Sequence, residues 1–484
     1  MKEQPQIRLS ESPLDISEDS PYANDRLNRE PSCYLLTRLV TTIDGPCTIA
    51  IDAPWGYGKS TFLELWAKDL QKNEFSVIQV NAWETDYFSN PLLVIVGEMM
   101  KQFEDNDTSG VFKNIELSQL KECFPKIFSI APKIIASRIG INSDDYAEIV
   151  SHIQSNLSIQ VDQYQEQLKS VEEFRSKLKD VAEKIHINTK KPLVVLIDEL
   201  DRCRPNYAVE FLEVVKHLIG VNHIVYAFAM NQSELAHTVT GCYGPQFDGN
   251  GYLRRFFDIN FTLPFSSRES LIGFFIEKHF KSLIPNRDMR DTLISLLTAF
   301  LNIETISLRQ IQQALNRFRL ALIFAQQDFS ETPRNKLIVD QFCVALILYL
   351  YDPNLLRKFI QGELSDKDVV ENSVYSIIRG NMDLFDERLR FETIVIRAAQ
   401  EIAGKNQSTG KYDTTTPLLD SYNKLAQSTS DSYDPSSEEY FAKKLMDEFQ
   451  DQTGISNYNR HNGHIYRKFK FTVKQLEMLE PLIN

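Results

Sequence analysis

The stretch APWGYGKS, residues 53–60, decides the fold of this 484-residue chain. It follows the apolar run CTIAID (47–52) and precedes TFLELWAKDL (61–70), which favours a helix. A strand, a glycine-rich turn and a Lys-Ser pair opening a helix form the phosphate-loop motif. Gly56 and Gly58 let the backbone turn so that its N–H groups and the helix N-terminus attract phosphate oxygens. A phosphate-binding loop is the leading interpretation, and a plain glycine turn before a lysine-bearing helix is the alternative.

The residues of this loop have separate predicted tasks. Lys59 would bridge the β- and γ-phosphates of ATP, Ser60 would ligate Mg²⁺ through its hydroxyl, and Thr61 would add a contact. Trp55 either packs or lies near the phosphates. Ala53 stands where the motif has its first glycine, and it would be strained if that position required positive φ. The predicted nucleotide-binding residues are Ala53, Pro54, Trp55, Gly56, Tyr57, Gly58, Lys59, Ser60, Thr61 and, further along the chain, Asn231.

A second apolar run, PLVVLID (192–198), ends in two acids. Asp198 would hold Mg²⁺ together with Ser60, directly or through water, and Glu199 would polarise the attacking water as general base. Many strands end in acids, so the pair gains its meaning from the phosphate loop upstream. The predicted cofactors are therefore ATP and Mg²⁺.

Other apolar runs alternate with helical patterns, which indicates β-α units. The runs FSVIQV (75–80), HIVYAFAM (223–230) and DINFTLP (258–264) predict further strands. The fold class predicted from this pattern is α/β, a P-loop NTPase core with a parallel sheet, a helical insert, a helical lid and a mainly helical C-terminal region.

Composition shifts along the chain predict its domain organisation. The stretch 161–184 is charged and favours helix, LRQIQQALNRFRLALIFA has helical spacing, and the segment from Lys405 to Glu439 is rich in polar residues. The predicted divisions are a mobile lead-in (1–30), the core (31–264), a helical insert within it (105–190), the lid (265–330) and a C-terminal domain (331–484) with a polar linker near 405–439.

Charge and cysteine usage limit the classes of function. The formal net charge of −13 disfavours non-specific coating of nucleic acid, because phosphate binding needs a positive field. Six cysteines form no CxxC pair, which argues against a zinc ribbon and leaves a reducing cytoplasm as the expected compartment. The first 21 residues are polar and acidic, unlike a secretory signal, and no run reaches the roughly 18–20 apolar residues of a membrane span.

Several segments together resemble the KAP family of P-loop NTPases. VVLIDELDRCRP (194–205) resembles its Walker B segment, and APWGYGKST (53–61) resembles its Walker A segment. Asn81-Ala82-Trp83, Tyr252-Leu253-Arg254-Arg255 and Arg309-Gln310-Ile311 resemble three further family elements. The resemblance covers roughly residues 31–320, and Asp-Arg-Cys is its most specific part.

The resemblance implies an additional-strand P-loop ATPase with a small helical lid. Such proteins tend to be regulated switches or assembly ATPases, and several in bacteria belong to antiviral defence systems. The implied partners are an effector or regulatory protein and further copies of the chain in a homo-oligomer. Many members carry membrane spans between the two Walker segments, but the insert here is too short and too charged, so no membrane partner is expected.

Five polar residues are secondary candidates, each with a structural alternative. Asn231 would sense the γ-phosphate or end a strand, and Arg309 would reach the nucleotide from the lid or face solvent. Arg254 and Arg255 would act across a subunit interface as arginine fingers or form a surface charge pair. Arg202 is either a structural partner of Asp201 or a trans-acting residue. The predicted catalytic residues are Glu199, Lys59, Arg254, Arg255 and Arg309.

The remaining signals are weaker. Cys203 fits a packed residue better than a nucleophile, and His461 with His464 lacks the further ligands of a metal site. The stretch 466–471 interleaves basic and aromatic residues, which favours an interface over single-stranded nucleic acid. Two other functions therefore stay open beside the ATPase switch, a nucleotide-binding scaffold with little hydrolysis and a nucleic-acid-stimulated ATPase.

Overall fold

A computed structural model describes residues 14–43, 45–87, 91–105, 157–302, 306–324, 339, 343–350, 353–361 and 443–444. These residues fall into two compact units, which meet in sequence between Ser266 and Ser267. Several predictions lie outside the described residues, namely those for 106–156, for the linker near 405–439, for His461 and His464, and for 466–471. The predicted domain boundaries remain predictions.

Five strands and seven helices make up the first unit among its described residues. In chain order they are α1 (Glu30–Thr42), β1 (Cys47–Asp52), α2 (Lys59–Lys72), β2 (Ser76–Asn81), α3 (Pro91–Asp105), α4 (Leu157–Thr189), β3 (Leu193–Asp198), α5 (Pro205–Ile219), β4 (Ile224–Met230), α6 (Gln232–Tyr243), α7 (Gly249–Leu253) and β5 (Ile259–Thr262). A short 3₁₀ turn, Leu200–Arg202, follows β3.

The strands form one parallel sheet in the order β2-β3-β4-β1-β5. All five are strands that the sequence predicts, although β2 begins and ends one residue later than expected. The predicted fold class, an α/β P-loop NTPase core with a parallel sheet, is confirmed.

Apolar side chains cover both faces of the sheet, as a parallel sheet requires. One face packs on α1 and α2 through residues such as Ile49, Ile51 and Trp66. The other face packs on the helices α3 to α6 through residues such as Ala50 and Phe228. Because successive side chains of a strand point to opposite faces, continuous apolar runs such as CTIAID fill both layers.

The register brings the ends of four strands into one row. Asp52 of β1 pairs with Met230 of β4, and Asp198 of β3 pairs with both Ala229 and Asn81. Residues that follow these strands therefore meet at the carboxyl edge of the sheet. In open parallel sheets this edge is where ligands bind.

The segment 14–29 packs on the first unit, which the prediction of a mobile lead-in does not anticipate. Leu14, Ile16 and Tyr22 lie against the apolar layer beneath α1 and α2. Buried Arg29 donates from Nη1 to the carbonyl of Pro264 (2.7 Å) and from Nη2 to the carbonyl of Tyr57 (3.0 Å). This guanidinium thus links the segment to the phosphate loop.

The described part of the second unit is helical, with α8 (Glu269–Phe280), α9 (Arg287–Leu301), α10 (Leu308–Phe324), a helical stretch at 343–350 and α11 (Pro353–Gln361). Phe280 and Phe318 hold α8 and α10 together, with ring centroids 5.3 Å apart. Buried Arg290 satisfies the carbonyls of Ile284 and Pro285 and pairs with Glu277. Among the helices described in either unit, none has the length and apolar character to span a bilayer.

Candidate functional site

The phosphate loop joins β1 to α2 at the carboxyl edge of the sheet. Gly56 (φ 78°) and Gly58 (φ 81°) both take left-handed conformations, which glycine adopts without steric cost. Ala53 is not among the described residues with positive φ, so the strain considered for an alanine at this position does not arise. Its side chain is buried in the apolar layer, while its N–H donates to the carbonyl of Met230 (3.2 Å).

Lys59 opens α2, and its side chain turns back over the loop. Its Nζ donates to the carbonyls of Ala53 (2.8 Å) and Pro54 (3.3 Å). Burial lowers the pKa of Lys59, and the carboxylates of Asp201 and Asp198 oppose that shift. The site therefore surrounds this ammonium with oxygen atoms and negative charge.

Ser60 and Asp198 bring the two predicted halves of the site together. The Ser60 side chain lies near the Asp198 carboxylate and acts to lower its pKa, although 138 positions (198 − 60) separate the two residues in the chain. Burial raises the pKa of Asp198 to about 6, and the charge of Glu199 adds to the effect. A half-buried carboxylate and a hydroxyl are oxygen donors of the type Mg²⁺ accepts.

Glu199 follows β3 in a left-handed conformation, with φ of 61°. Its Oε1 lies 2.5 Å from Nη1 of Arg202, and its Oε2 lies 3.5 Å from the side-chain amide of Asn81. Arg202 thus pairs with Glu199. This differs from one of the two interpretations of Arg202 from the sequence, which makes Asp201 its structural partner.

Asp201 is the residue at the site to which the sequence assigned no function. Its Oδ2 accepts hydrogen bonds from the Trp55 indole N–H (2.6 Å) and from the backbone N–H of Asn231 (2.9 Å). The Nζ of Lys59 lies 4.0 Å from the same oxygen. The one signal that could have pointed to Asp201 is its position three residues after the end of β3, within the segment that resembles Walker B.

The Asn-Ala-Trp segment forms the neighbouring wall of this edge. Oδ1 of Asn81 accepts from the backbone N–H groups of Trp83 (3.1 Å) and Glu84 (3.2 Å), which fixes the chain leaving β2. The guanidinium of Arg202 lies 5.9 Å from the centroid of the Trp83 ring. Through Arg202, this segment is connected to Glu199.

The secondary candidates occupy separate places. Asn231 is the N-cap of α6, where its Oδ1 accepts from the N–H of Glu234 (3.4 Å). Arg254 and Arg255 are exposed just after α7. Arg309 is exposed in the first turn of α10, in the second unit. Their predicted roles at the nucleotide stay predictions.

Burial raises the pKa of the Cys203 thiol to about 12, which fits a packed residue.

Across the described ranges, three or more His, Cys, Asp or Glu side chains do not gather where they could hold a metal ion. A Mg²⁺ ion at Ser60 and Asp198 would accordingly take further oxygens from bound phosphates and water, as Mg²⁺ commonly does.

A parallel sheet with a phosphate loop after β1 and an acidic pair after β3 defines the class of protein as a P-loop NTPase. The family model described as the KAP family P-loop domain matches residues 34–322, more than half of the chain. The chain therefore belongs to the KAP family, as the resemblance in the sequence predicts.

Other comparisons give weaker similarity. The chain is similar to the ORC2 protein of Aeropyrum pernix, at 13% identity over 87% of this chain and 86% of that one, with a TM-score of 0.31. It is similar to DnaA from Aquifex aeolicus bound to AMPPCP, at 13% identity over 79% and 88%, with a TM-score of 0.24. Drosophila ORC bound to DNA and Cdc6 gives 10% identity over 87% and 69%, with a TM-score of 0.28. These scores are too low to carry an inference about function. No curated protein matches the chain.

Proposed function

We propose that this chain binds ATP with Mg²⁺ and hydrolyses it, acting as a regulated conformational switch or an assembly ATPase. The observation that carries the proposal is the proximity of Ser60 and Lys59 to the Asp198 carboxylate at the carboxyl edge of the sheet. Lys59 and Ser60 are adjacent in the sequence, Asp198 comes from a distant part of the chain, and the three meet where a parallel sheet binds ligands.

Each residue has a task that its position supports. Lys59 would exchange the carbonyls of the loop for phosphate oxygens, and Ser60 with Asp198 would hold the metal ion. Bound Mg²⁺ would neutralise phosphate charge and orient the transferring group. Glu199 lies next to Asp198 and would accept the proton of the attacking water.

A switch also needs side chains that sense the bound nucleotide, either within the chain or across an interface with a second copy. Arg254 and Arg255 are exposed and available to a neighbouring copy of the chain, and Arg309 is exposed in the second unit. An arginine that acts across an interface contributes about 10³–10⁵ in rate. We expect ATP to favour a homo-oligomer, so mass photometry should show larger species with ATP than without it. The mass of a monomer in both conditions would exclude the trans-acting arginine.

Hydrolysis distinguishes this proposal from a nucleotide-binding scaffold. Glu199→Gln should lower steady-state phosphate release by about 10²–10⁴-fold while ATP binding persists. Glu84→Gln, which changes an exposed acid after β2, is the matched control and should keep the wild-type rate. Equal background release from wild type and Glu199→Gln would instead support the scaffold.

Three finer expectations rest on sequence alone. Stimulation by nucleic acid is disfavoured by the net charge of −13, and an unchanged rate on adding single- or double-stranded DNA or RNA would end that alternative. A cytoplasmic location and a role in antiviral defence stay predictions. The role in antiviral defence would be tested by comparing the plating of phage on bacteria that express wild type or Lys59→Ala.

A further inference from the structure

Asp201 is a buried acid that the proposed chemistry does not use. Its side chain is only 1% exposed, and burying a carboxylate is unfavourable unless the charge is compensated. The metal ion would be held by Asp198, and the proton would be taken by Glu199. The presence of a third acid at this depth therefore needs its own explanation.

The contacts of Asp201 join three separate pieces of the site. The Trp55 indole N–H comes from the phosphate loop, 146 positions away, and the Asn231 N–H comes from the start of α6, 30 positions away. Hydrogen bonds to an ionised acceptor are roughly twice as strong as those between neutral groups. One carboxylate thus ties the loop after β1 to the junction after β4.

The local backbone explains how Asp201 reaches this position. The left-handed conformation of Glu199 turns the chain sharply after β3, and the 3₁₀ turn follows. Leu200 then enters the apolar layer with α3 and α5, while Asp201 is directed to the phosphate loop. Both hydrogen bonds of Asp201 are made to residues outside the turn, so its carboxylate connects other segments of the chain and does not stabilise the turn itself.

The charge of Asp201 matters as well as its oxygen. An asparagine would accept the same two hydrogen bonds without placing a charge in the interior. Within the described residues, Oδ1 of Asp201 has no hydrogen-bond partner, which adds to the cost of the carboxylate. The compensating feature is the ammonium of Lys59, 4.0 Å from Oδ2.

We propose that Asp201 is a positioning residue of the nucleotide site. Its carboxylate anchors the phosphate loop through the Trp55 indole, against the backbone that follows β4, and it places a negative charge beside Lys59. The functional part of this inference rests on the proposed ATP binding, whereas the anchoring of Trp55 does not.

The anchoring is tested first, without nucleotide. The chain has three tryptophans, and Trp66 is buried while Trp55 and Trp83 are about half exposed. The emission of Trp55 is obtained as the difference between each protein and its Trp55→Phe form. Asp201→Ala, which removes the acceptor, should increase acrylamide quenching of that emission, whereas Asp201→Asn, which keeps an acceptor for the indole, should change it less. Asp86→Asn, an acid of the same edge that pairs with Arg204, is the matched control.

The functional part is tested by a double-mutant cycle on ATP affinity, with circular dichroism confirming that each variant is folded. Asp201→Ala should weaken binding about tenfold and Trp55→Phe about threefold, and the double variant should lose about tenfold because both changes break one contact. Asp86→Asn should stay within about twofold of wild type. If Asp201→Ala does not fold, Asp201→Glu keeps the charge, displaces the acceptor, and should weaken binding in the same coupled way.

The outcomes separate the two proposals. Unchanged quenching of Trp55 in Asp201→Ala, or losses of affinity that simply multiply in the double variant, would overturn the positioning role. Absence of ATP binding by the wild type would overturn the proposed function and the functional part of this inference, and quenching would still decide whether Asp201 anchors Trp55.

Discussion

The two edges of the sheet use polar residues in opposite ways. At the amino edge, Asp258 is matched by its neighbour, since its Oδ2 accepts from both the N–H and the hydroxyl of Thr48 (each 2.8 Å). At the carboxyl edge, Asp198 has a raised pKa and Asp201 keeps one oxygen without a partner in the described residues. The polar groups of the amino edge therefore stabilise the fold, whereas the acids of the carboxyl edge keep oxygen atoms that a ligand can use.

The largest effect on this contrast should come from Lys59→Ala, which removes the ammonium group beside the phosphate loop. At an ATP concentration of 100 times Kd, binding stabilises the folded protein by about 2.7 kcal/mol. For a unit of this size that corresponds to a rise in Tm of about 5–10 °C, and we expect the variant to show none of it. Differential scanning fluorimetry with ATP and Mg²⁺ measures the shift. A variant that shifts as much as wild type would place the nucleotide elsewhere.

Replacing one acid at each edge sharpens the comparison. Asp198→Asn should lower phosphate release by about 10²-fold. It should also raise the free energy of unfolding, because burial penalises the charged carboxylate. Asp258→Asn should have the reverse pattern, with lower stability and an unchanged rate at a temperature where it is folded. Phosphate release and urea unfolding of both variants check this, and similar profiles for the two would break the contrast.

A neutral change at the amino edge should have a moderate effect. Thr48→Val removes the hydroxyl that donates to Asp258 and accepts from its N–H (3.1 Å), which should cost about 1–3 kcal/mol of stability. Because the phosphate loop lies at the other end of β1, the ATP-dependent rise in Tm should persist. Loss of that rise in a folded variant would show that the two edges are coupled.

The smallest effect should come from Cys203, which lies at the carboxyl edge without a chemical task. With a pKa of about 12, its sulfur is a neutral thiol at pH 8, and iodoacetamide should leave it unmodified in the folded protein. Exposed Cys242 is the internal control and should be alkylated. Mass spectrometry of the digested protein reads both sites, and rapid labelling of Cys203 would contradict the assignment as a packed residue.

The sequence predicts the features that depend on short-range patterns. Apolar runs identify all five strands, and the phosphate loop and the acids after β3 are recognised from their spacing. The carboxyl edge follows as the common location because parallel strands end together. These predictions succeed because each motif contains its own backbone requirement, as the left-handed Gly56 and Gly58 illustrate.

What the sequence does not predict depends on contacts between distant positions or on a local choice of backbone. No periodicity connects Trp55 with Asp201, and the partner of Arg202 is decided by the turn at Glu199. A left-handed glutamate is unusual, so this turn is not expected from residue type. The packing of 14–29 is missed because a polar, acidic segment with few apolar residues has the composition of a solvated lead-in.

The guanidinium of Arg29 has a practical consequence for dissecting the molecule. A fragment trimmed to the first position of the family match would lack this side chain, and with it the bridge between the carbonyls of Tyr57 and Pro264. We expect such a fragment to hold ATP less firmly than the full chain, which parallel titrations would measure. Weak ATP binding by a truncated protein would then reflect the missing Arg29 contacts and would say little about the full chain.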